Sequence, residues 1–321
     1  MRMSEQVLSV IIPSYNEEQM AGKACSAIDG VLNDAGIPHR LVFVDDGSKD
    51  RTWDVIEELT RTHNNVTGLK FSRNFGKESA IYAGLSYSLD AACAVVIDCD
   101  LQHPPKTLVE MYRLWEEGYE VVEGIKSSRG RESILHKMFV GIFYGIMSRL
   151  MKIDMNSTSD FKLLDRKVVD ALLSLNESNT FFRALSFWVG FRSTQVEYDV
   201  QERTKGKSKW SFAGLVRYAI TNTTSFTTAP LKIIAFVGCI MVIFSVVLGI
   251  QTLVNYFMHI AVEGFTTVIL LVLLIGGCVM VSLGIIGHYL GRIYEEVKGR
   301  PKYIISQVTD NVTGNVTGTW K

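Results

Sequence analysis

The chain has 321 residues, of which 47% are hydrophobic and 21% are charged. Its 33 Lys and Arg residues balance its 33 Asp and Glu residues, so it lacks the basic excess with which nucleic-acid-binding proteins neutralise phosphates. An aromatic content of 10% with only 6 prolines excludes a largely disordered chain, and 5 cysteines without a CxxC pair argue against a disulfide framework or a cysteine metal site.

Apolar runs of strand length alternate with helical patterns up to Ile125. Strands are predicted at Leu8–Pro13, Leu41–Val44, Thr67–Phe71, Ala94–Ile97 and Tyr119–Ile125. Helices are predicted from near Asp50, with Ser48 or Asp50 as the cap, over Glu78–Leu89, and from Pro104 and Pro105 through Trp115. This alternation predicts an α/β fold with a parallel, doubly wound sheet, in which ligands bind beyond the carboxyl ends of the strands.

Acidic residues lie at three of these predicted strand ends. Asp98 and Asp100 flank one residue after the fourth strand, and on an extended segment two such side chains point the same way. A divalent cation shared with a diphosphate would relieve their repulsion; the alternative is a solvated loop with two unrelated acids. Asp46, after the second strand, is suited to accept a hydrogen bond from a base or ribose, or simply to stabilise an Asp-Gly turn.

Two long apolar runs follow, from Leu231 to about Phe257 and from about Thr267 to Gly291. Between Lys232 and Arg292 the only charged residue is Glu263. Each run exceeds the ~20 residues that a helix needs to cross a bilayer, and neither has the polar face of a core helix. Because Lys and Arg flank the outer ends and not the connecting turn, the positive-inside rule predicts a hairpin with both chain termini in the cytoplasm.

Two loops before these runs are rich in cations. They contain Lys126, Arg129 and Arg131, and Arg203, Lys205, Lys207 and Lys209. The segments near 134–151 and 211–226 are apolar and aromatic, which is ordinary for core helices; following cationic loops, they are interpreted here as helices at the membrane interface.

Six short motifs occur in order along the chain. They are Pro13–Glu17 (PSYNE), Asp45–Ser48 (DDGS), Ser72–Lys77 (SRNFGK), Asp98–Pro105 (DCDLQHPP), Ser159–Phe161 with Leu164–Arg166, and Gly206–Lys209 (GKSK). With Gly287–Lys298 after the apolar runs, this series resembles the polyprenyl-phosphate glycosyltransferases. These include the bactoprenol glucosyltransferases of the GtrB type, the lipid A aminoarabinose-carrier transferases and dolichol-phosphate mannose synthase. The resemblance covers about residues 7–305.

The resemblance implies a GT-A fold, which is a Rossmann-like, mostly parallel sheet, followed by two transmembrane helices. It also implies inverting transfer of a sugar, expected to be glucose, from a UDP-sugar to undecaprenyl phosphate for modification of cell-envelope glycans. The cytoplasmic domain is expected over residues 1–230, the transmembrane hairpin over 231–291 and a cytoplasmic tail over 292–321. The protein would be a multi-pass plasma (inner) membrane protein, and relatives suggest a homo-oligomer, a tetramer.

The resemblance assigns roles residue by residue. The donor-binding candidates are Pro13, Tyr15, Glu17, Val44, Asp46, Cys99 and Gln102. Asp98 and Asp100 are expected to hold Mg²⁺ or Mn²⁺. Lys77 is a further donor-site candidate, although no P-loop pattern surrounds it. Asp160 completes the catalytic candidates, and its role as a base, a partner of a sugar hydroxyl or an orienting group is left open.

The acceptor phosphate, with a charge of about −1.5 to −2 near neutrality, needs electrostatic capture more than a general base. The candidates are Lys126, Arg129, Arg131, Arg203 and Lys209, with ordinary solvated side chains as the alternative. Three positions depart from the family pattern: Cys99 replaces a common Ala, Lys126 an Arg, and Ser159 a Gly. The Arg to Lys change weakens bidentate phosphate binding, and the Ser puts backbone freedom at its loop in doubt.

Other interpretations of the sequence predict different features. A processive polysaccharide synthase would share the donor site but should carry a Gln-x-x-Arg-Trp motif and more apolar spans, and this chain has neither. The same transfer with an N-acetylglucosamine, mannose or aminoarabinose donor stays open. A membrane-anchored sensor of nucleotide sugars without enzymatic activity is the alternative of a different class.

Overall fold

The structure is a computed structural model, and it describes residues 7–88, 90–127, 159–175, 177, 181–199, 229–258 and 264–309. Helices and strands are numbered within these residues. The predicted interfacial helices near 134–151 and 211–226 lie outside the described residues, as do Arg129, Arg131, Arg203 and Lys209.

Eight strands form one mixed sheet in the order β7-β5-β6-β4-β1-β2-β3-β8. They are β1 (Leu8–Ser14), β2 (His39–Asp45), β3 (Val66–Phe71), β4 (Cys93–Val96), β5 (Val121–Lys126), β6 (Lys162–Asp165), β7 (Ser193–Tyr198) and β8 (Ile305–Thr309). Strands β4, β1, β2 and β3 are parallel neighbours, whereas β6 runs antiparallel to β4 and β5, and β8 antiparallel to β3. The predicted, mostly parallel α/β sheet is confirmed; β6, β7 and β8 were not predicted.

Six helices cover the sheet: α1 (Ala21–Asp34), α2 (Thr52–Thr62), α3 (Lys77–Tyr87), α4 (Lys106–Glu116), α5 (Arg166–Ser174) and α6 (Phe182–Trp188). Alternate residues of β2 enter two cores, because side chains of a strand point to opposite faces. Leu41 and Phe43 pack with α1 and α2, whereas Val42 and Val44 pack with α3. Asp50, one of the two predicted caps of α2, accepts a hydrogen bond from the Thr52 amide.

Helix α3 lies close against β1 because Gly84 has no side chain. A Cβ at Gly84 would lie 2.3 Å from Ile11 Cγ2, while a Cβ at Gly22 in α1 would meet no atom within 4 Å. We expect Gly84→Ala to lower the free energy of unfolding by about 1–3 kcal/mol through overpacking. The control Gly22→Ala should raise it by up to about 1 kcal/mol, since alanine favours helix. Chemical unfolding of the two variants measures both; equal effects would contradict the close packing.

Two further helices, α7 (Ala229–Phe257) and α8 (Phe265–Lys298), are long and apolar enough to cross a membrane. Their candidate spans, Ile233–Asn255 and Leu274–Lys298, have mean hydropathies of 3.0 and 1.7. The residues of these spans are not buried within the protein. This is the surface expected of helices whose solvent is hydrocarbon.

After α8 the chain re-enters the sheet as β8, where the sequence predicted only a tail. Ile305 and Val308 join the core that α3 covers. Tyr303 stacks on Phe71 with ring centroids 5.3 Å apart, and its hydroxyl lies 3.2 Å from Ser86 Oγ. Strand β8 therefore ties the segment after the second apolar helix to the same sheet that precedes the first.

Candidate active site

A cavity of about 330 Å³ lies at the carboxyl ends of β1, β2 and β4, beside the N-terminus of α3. Its lining comprises Pro13, Ser14, Tyr15, Glu17, Asp46, Asn74, Gly76, Lys77, Ala80, Asp98, Cys99 and Asp100. Eight of these were donor-site or metal-site predictions from the sequence. They come together because parallel strands bring their carboxyl ends to one edge of the sheet.

The loop after β1 is fastened to the loop after β2 by side chains. The Asn16 amide donates to Ser48 Oγ at 2.9 Å, and the Glu17 amide donates to Thr52 Oγ1 at 2.7 Å. Asn16 has φ 57°, a left-handed conformation that Asn tolerates better than most residues. These bonds hold Tyr15, 42% exposed, and the half-buried Glu17 at the cavity mouth.

Asp46 shapes the entrance to α3. Its carboxylate accepts hydrogen bonds from the amides of Phe75, at 2.6 Å, and Gly76, at 2.9 Å. The next residue, Gly47, has φ +67°, and a Cβ there would lie 2.5 Å from the Arg73 carbonyl carbon. The Asp46 residue therefore lines the cavity, and its carboxylate supports the loop before α3 rather than its own Asp-Gly turn, where Asp45 Oδ1 accepts from the Ser48 amide at 3.0 Å.

Acids dominate the electrostatics of the cavity. Burial raises the pKa of the Glu17 carboxyl, and the charges of Asp100, Asp50 and Asp98 raise it further. Such a field favours a cation. Burial also raises the pKa of the Cys99 thiol to about 12, so Cys99 is a small neutral lining group.

The residues present fit a divalent metal that binds together with a diphosphate. Among the described residues, no group of three or more His, Cys, Asp or Glu side chains is placed to hold a metal alone. Asp98 and Asp100 both line the cavity, and the Gln102 amide donates to Asp100 Oδ1 at 3.1 Å. Mg²⁺ is commonly bound by one or two carboxylates plus substrate phosphates, and this donor set matches that pattern.

Lys77 links the cavity to Asp160. Its Nζ lies 2.5 Å from Asp98 Oδ1 and 3.1 Å from Asp160 Oδ2. Arg183 of α6 forms a two-bond pair with Asp160, Nε to Oδ1 at 2.6 Å and Nη2 to Oδ2 at 2.8 Å. Burial opposes ionisation of Asp160, but the bonds from Arg183 and the charge of Lys77 outweigh it and hold its pKa well below the usual range.

Hydrogen bonds from neighbouring strands and within the turn hold the loop that carries Asp160. The Ser159 amide donates to Glu123 Oε1 at 2.6 Å, and that oxygen lies 3.2 Å from the buried Lys162 Nζ. Ser159 Oγ accepts from the Phe161 amide at 3.1 Å. The serine that replaces the family's common glycine thus closes the turn itself. Among the described residues, Ser159 is not one of the non-glycine residues with positive φ, so its backbone conformation does not require glycine.

Helix α6 is docked on α3 at its first residues. The Phe182 amide donates to Glu78 Oε2 at 2.9 Å. Burial raises the pKa of Glu78 to about 7, and the nearby charge of Asp160 contributes to the rise. His103 stacks on Phe161 at 4.7 Å, and burial lowers the pKa of its imidazole. These contacts fix the start of α6 and the residue that follows Asp160.

Four of the predicted site residues that the structure describes do not line this cavity. Val44 is fully buried between β2 and α3, because strand alternation turns it toward the helix, so its side chain does not reach the cavity. Gln102 is half-buried, and its Nε2 finds no hydrogen-bond partner among the described residues. Lys126 is exposed at the last residue of β5. Asp160 is buried and reaches the cavity through Lys77.

The sequence interpretation missed Arg183, Glu78 and Asn74. Arg183 is the one charged residue in the mostly apolar run Phe181–Trp188, and a charge in such a run usually has a buried partner. That signal was available. The two other residues adjoin predicted ones, Glu78 next to Lys77 and Asn74 inside the SRNFGK motif.

Comparisons with known proteins identify the family of the chain. The model of the family described as glycosyl transferase family 2 matches residues 9–173. An uncharacterized glycosyltransferase of Bacillus subtilis (strain 168), YkcC, is 38% identical over 301 residues, covering 93% of each chain. The bactoprenol glucosyl transferase of Shigella phage SfII is 33% identical over 303 residues, 94% of this chain and 97% of that protein.

Among solved structures, glucosyl-3-phosphoglycerate synthase from Mycobacterium tuberculosis in complex with UDP is similar to this chain with a TM-score of 0.49. The sequence identity is 18%, and the match covers 68% of this chain and 79% of that one.

Proposed function

Because the chain belongs to glycosyl transferase family 2, we propose that it moves glucose from UDP-glucose to the phosphate of a membrane polyprenyl carrier, with inversion at the sugar. The name of the Shigella phage relative, similar over 94% of this chain, supports the donor sugar and the carrier. The observation that carries the proposal is the acid-lined cavity at the carboxyl edge of the sheet, with both Asp98 and Asp100 in its lining.

The donor would lie in this cavity. Tyr15 offers an exposed aromatic face at the mouth for the nucleoside base. Asp98 and Asp100 would hold Mg²⁺ or Mn²⁺ at the diphosphate. When bound, the metal would neutralise the charge that develops as the diphosphate leaves. Lys77 is placed to contribute a second positive charge.

The acceptor needs no strong base. A phosphate monoester is already anionic near neutrality, so one of its oxygens can attack the sugar's anomeric carbon directly. The bond from that carbon to the diphosphate breaks with its electrons staying on UDP, and attack from the opposite face inverts the centre. Asp160, engaged by Arg183 and Lys77, is suited to orient these cations rather than to take a proton.

The membrane arrangement follows from connectivity. Residues before α7 and after α8 belong to one sheet, so two crossings would return the chain to the side from which it left. The distribution of Lys and Arg supports a cytoplasmic location for that side, by the positive-inside rule. We propose a multi-pass plasma membrane enzyme whose acceptor phosphate lies at the cytoplasmic surface.

A transfer assay with the purified full-length chain in detergent tests this proposal. The chain is incubated with Mn²⁺, a short polyprenyl phosphate and a panel of radiolabelled UDP-sugars, with the matching polyprenol as control. We expect label from UDP-glucose to enter the lipid phosphate and not the polyprenol. UDP binding without transfer from any sugar would instead support a nucleotide-sugar sensor, and transfer from another UDP-sugar would correct the donor.

A further inference from the structure

Lys77 occupies one of the two carboxylate oxygens through which Asp98 could bind a metal. Its Nζ is 2.5 Å from Asp98 Oδ1, and its side chain is 40% exposed. Divalent cations bind carboxylate oxygens at about 2.0–2.6 Å, so an ammonium group in contact with that oxygen blocks the same approach. A metal can bind Asp98 through Oδ1 only if Lys77 moves away, and the ammonium charge also opposes a metal at the other oxygen of this carboxylate.

The charge balance of the cavity explains why Lys77 rests there. Four carboxylates line the cavity, those of Glu17, Asp46, Asp98 and Asp100, and Lys77 is the one cation among the described lining residues. Without a ligand, its ammonium group is the nearest compensation for Asp98. Asp160 needs Lys77 less, because Arg183 already bonds both of its oxygens.

A nucleoside diphosphate changes this balance. Its negative charge offers Lys77 a new partner and at the same time supplies oxygen ligands to a metal. Asp160, 3.1 Å from Nζ, gives the lysine a second anchor from which it can turn between the two positions.

This inference rests on the proposed function: we propose that Lys77 is a counterion that guards Asp98, meaning that it opposes metal binding there while the cavity is empty. The divalent metal then binds together with the nucleoside diphosphate and not before it. Once displaced from Asp98, the ammonium group bonds the diphosphate. The metal site is then complete only when the donor is present. This order keeps Asp98 neutralised in the empty enzyme and makes Lys77 a donor-binding residue in the loaded one.

Binding of Mn²⁺ to the full-length chain, measured by electron paramagnetic resonance with and without UDP, tests the inference. For Lys77→Met without UDP, we expect Mn²⁺ to bind up to about fivefold more tightly than to the wild type, the gain expected from removing one competing, partly exposed ion pair. UDP affinity in the presence of Mn²⁺ should fall by a similar factor, because the diphosphate loses a cation. Lys77→Gln should behave alike.

The matched control is Lys167→Met. Lys167 has a side chain that is 75% exposed, and it lies on α5 near Asp165, at the opposite end of β6 from Asp160. Its removal changes the net charge equally but should leave both affinities unchanged. Circular dichroism spectra check that every variant is folded.

The outcomes separate this inference from the proposed function. If the wild type binds UDP with Mn²⁺ but Lys77→Met binds free Mn²⁺ no more tightly than the wild type does, the guarding role is wrong and the proposed function stands. If the wild type binds no UDP even with Mn²⁺, the proposed function fails, and this inference fails with it.

Discussion

Asp98→Ala and Asp100→Ala are each expected to lower kcat for sugar transfer by about a hundred- to a thousandfold while the chain stays folded. The two carboxylates are the candidate metal ligands in the cavity, and loss of a group that stabilises developing charge commonly costs about 10²–10³ in rate. Both side chains are only partly buried, so their loss should affect stability little. The assay is glucose transfer to polyprenyl phosphate, with thermal unfolding measured in parallel.

Asp90→Ala is the matched control for these variants. Asp90 pairs with Arg40 just before β4 begins, at the other end of the strand from Asp98. This variant also replaces an aspartate by alanine, and it should leave the rate of sugar transfer within about twofold of the wild type, since surface ion pairs contribute little. Full activity of either cavity variant, or full activity of the wild type in excess EDTA, would contradict the metal assignment.

The parallel half of the sheet could be predicted because its strands are short apolar runs followed by polar turns. The edge of the sheet where the acids meet follows from the same pattern, since parallel strands end together. The prediction that Asp98 and Asp100 face one site assumed an extended chain; both line the cavity, although β4 ends at Val96 and Cys99 and Asp100 lie in a turn. These features are local, and local sequence carries them.

The antiparallel strands depend on distant partners. Strand β6 contains Lys162, and a lysine in a sequence pattern predicts a surface position. Lys162 is nevertheless buried, because its ammonium group pairs with Glu123 and donates to Ser186. Strand β8 lies more than two hundred residues from its partner β3. Neither pairing has a signal in its own segment.

Asp160 illustrates the same limit within the site. The sequence identified the residue but left its role open, because its partners come from elements far along the chain. It lies just before β6, which runs antiparallel to β4, so it emerges where β4 ends and Asp98 follows. Lys77 and Arg183 then reach it from α3 and α6. Only the pairing of β4 with β6 brings these charges together.

Arg183→Met is expected to lower the free energy of unfolding by about 2–3 kcal/mol and to reduce sugar transfer strongly. Asp160 is only 7% exposed, and a buried carboxylate that loses its main partner pays a large desolvation penalty. The estimate lies below the usual range for buried pairs because the Arg183 side chain is 34% exposed. Chemical unfolding of the full-length chain in detergent, followed by tryptophan fluorescence, measures the loss.

The loss should depend on pH in a defined direction. In the wild type the pKa of Asp160 lies below its unfolded value of about 3.9, so its stabilising contribution is full above that value and is lost as pH falls further. Without Arg183, burial is less compensated and the pKa of Asp160 should rise. The stability gap between variant and wild type should therefore be widest at neutral pH and narrow as pH falls and Asp160 takes up a proton.

The double variant Arg183→Met with Asp160→Asn separates this electrostatic cause from lost packing. The amide of Asn needs no counter-charge, so the double variant should be more stable than the sum of the two single losses predicts, by about 1–2 kcal/mol. In the double variant, the difference in unfolding free energy from the wild type should also no longer narrow as pH falls, because residue 160 has no carboxylate left to titrate. Simple additivity, or a gap that stays constant from neutral pH to pH about 4, would mean that Arg183 stabilises α6 by packing and that Asp160 does not depend on it.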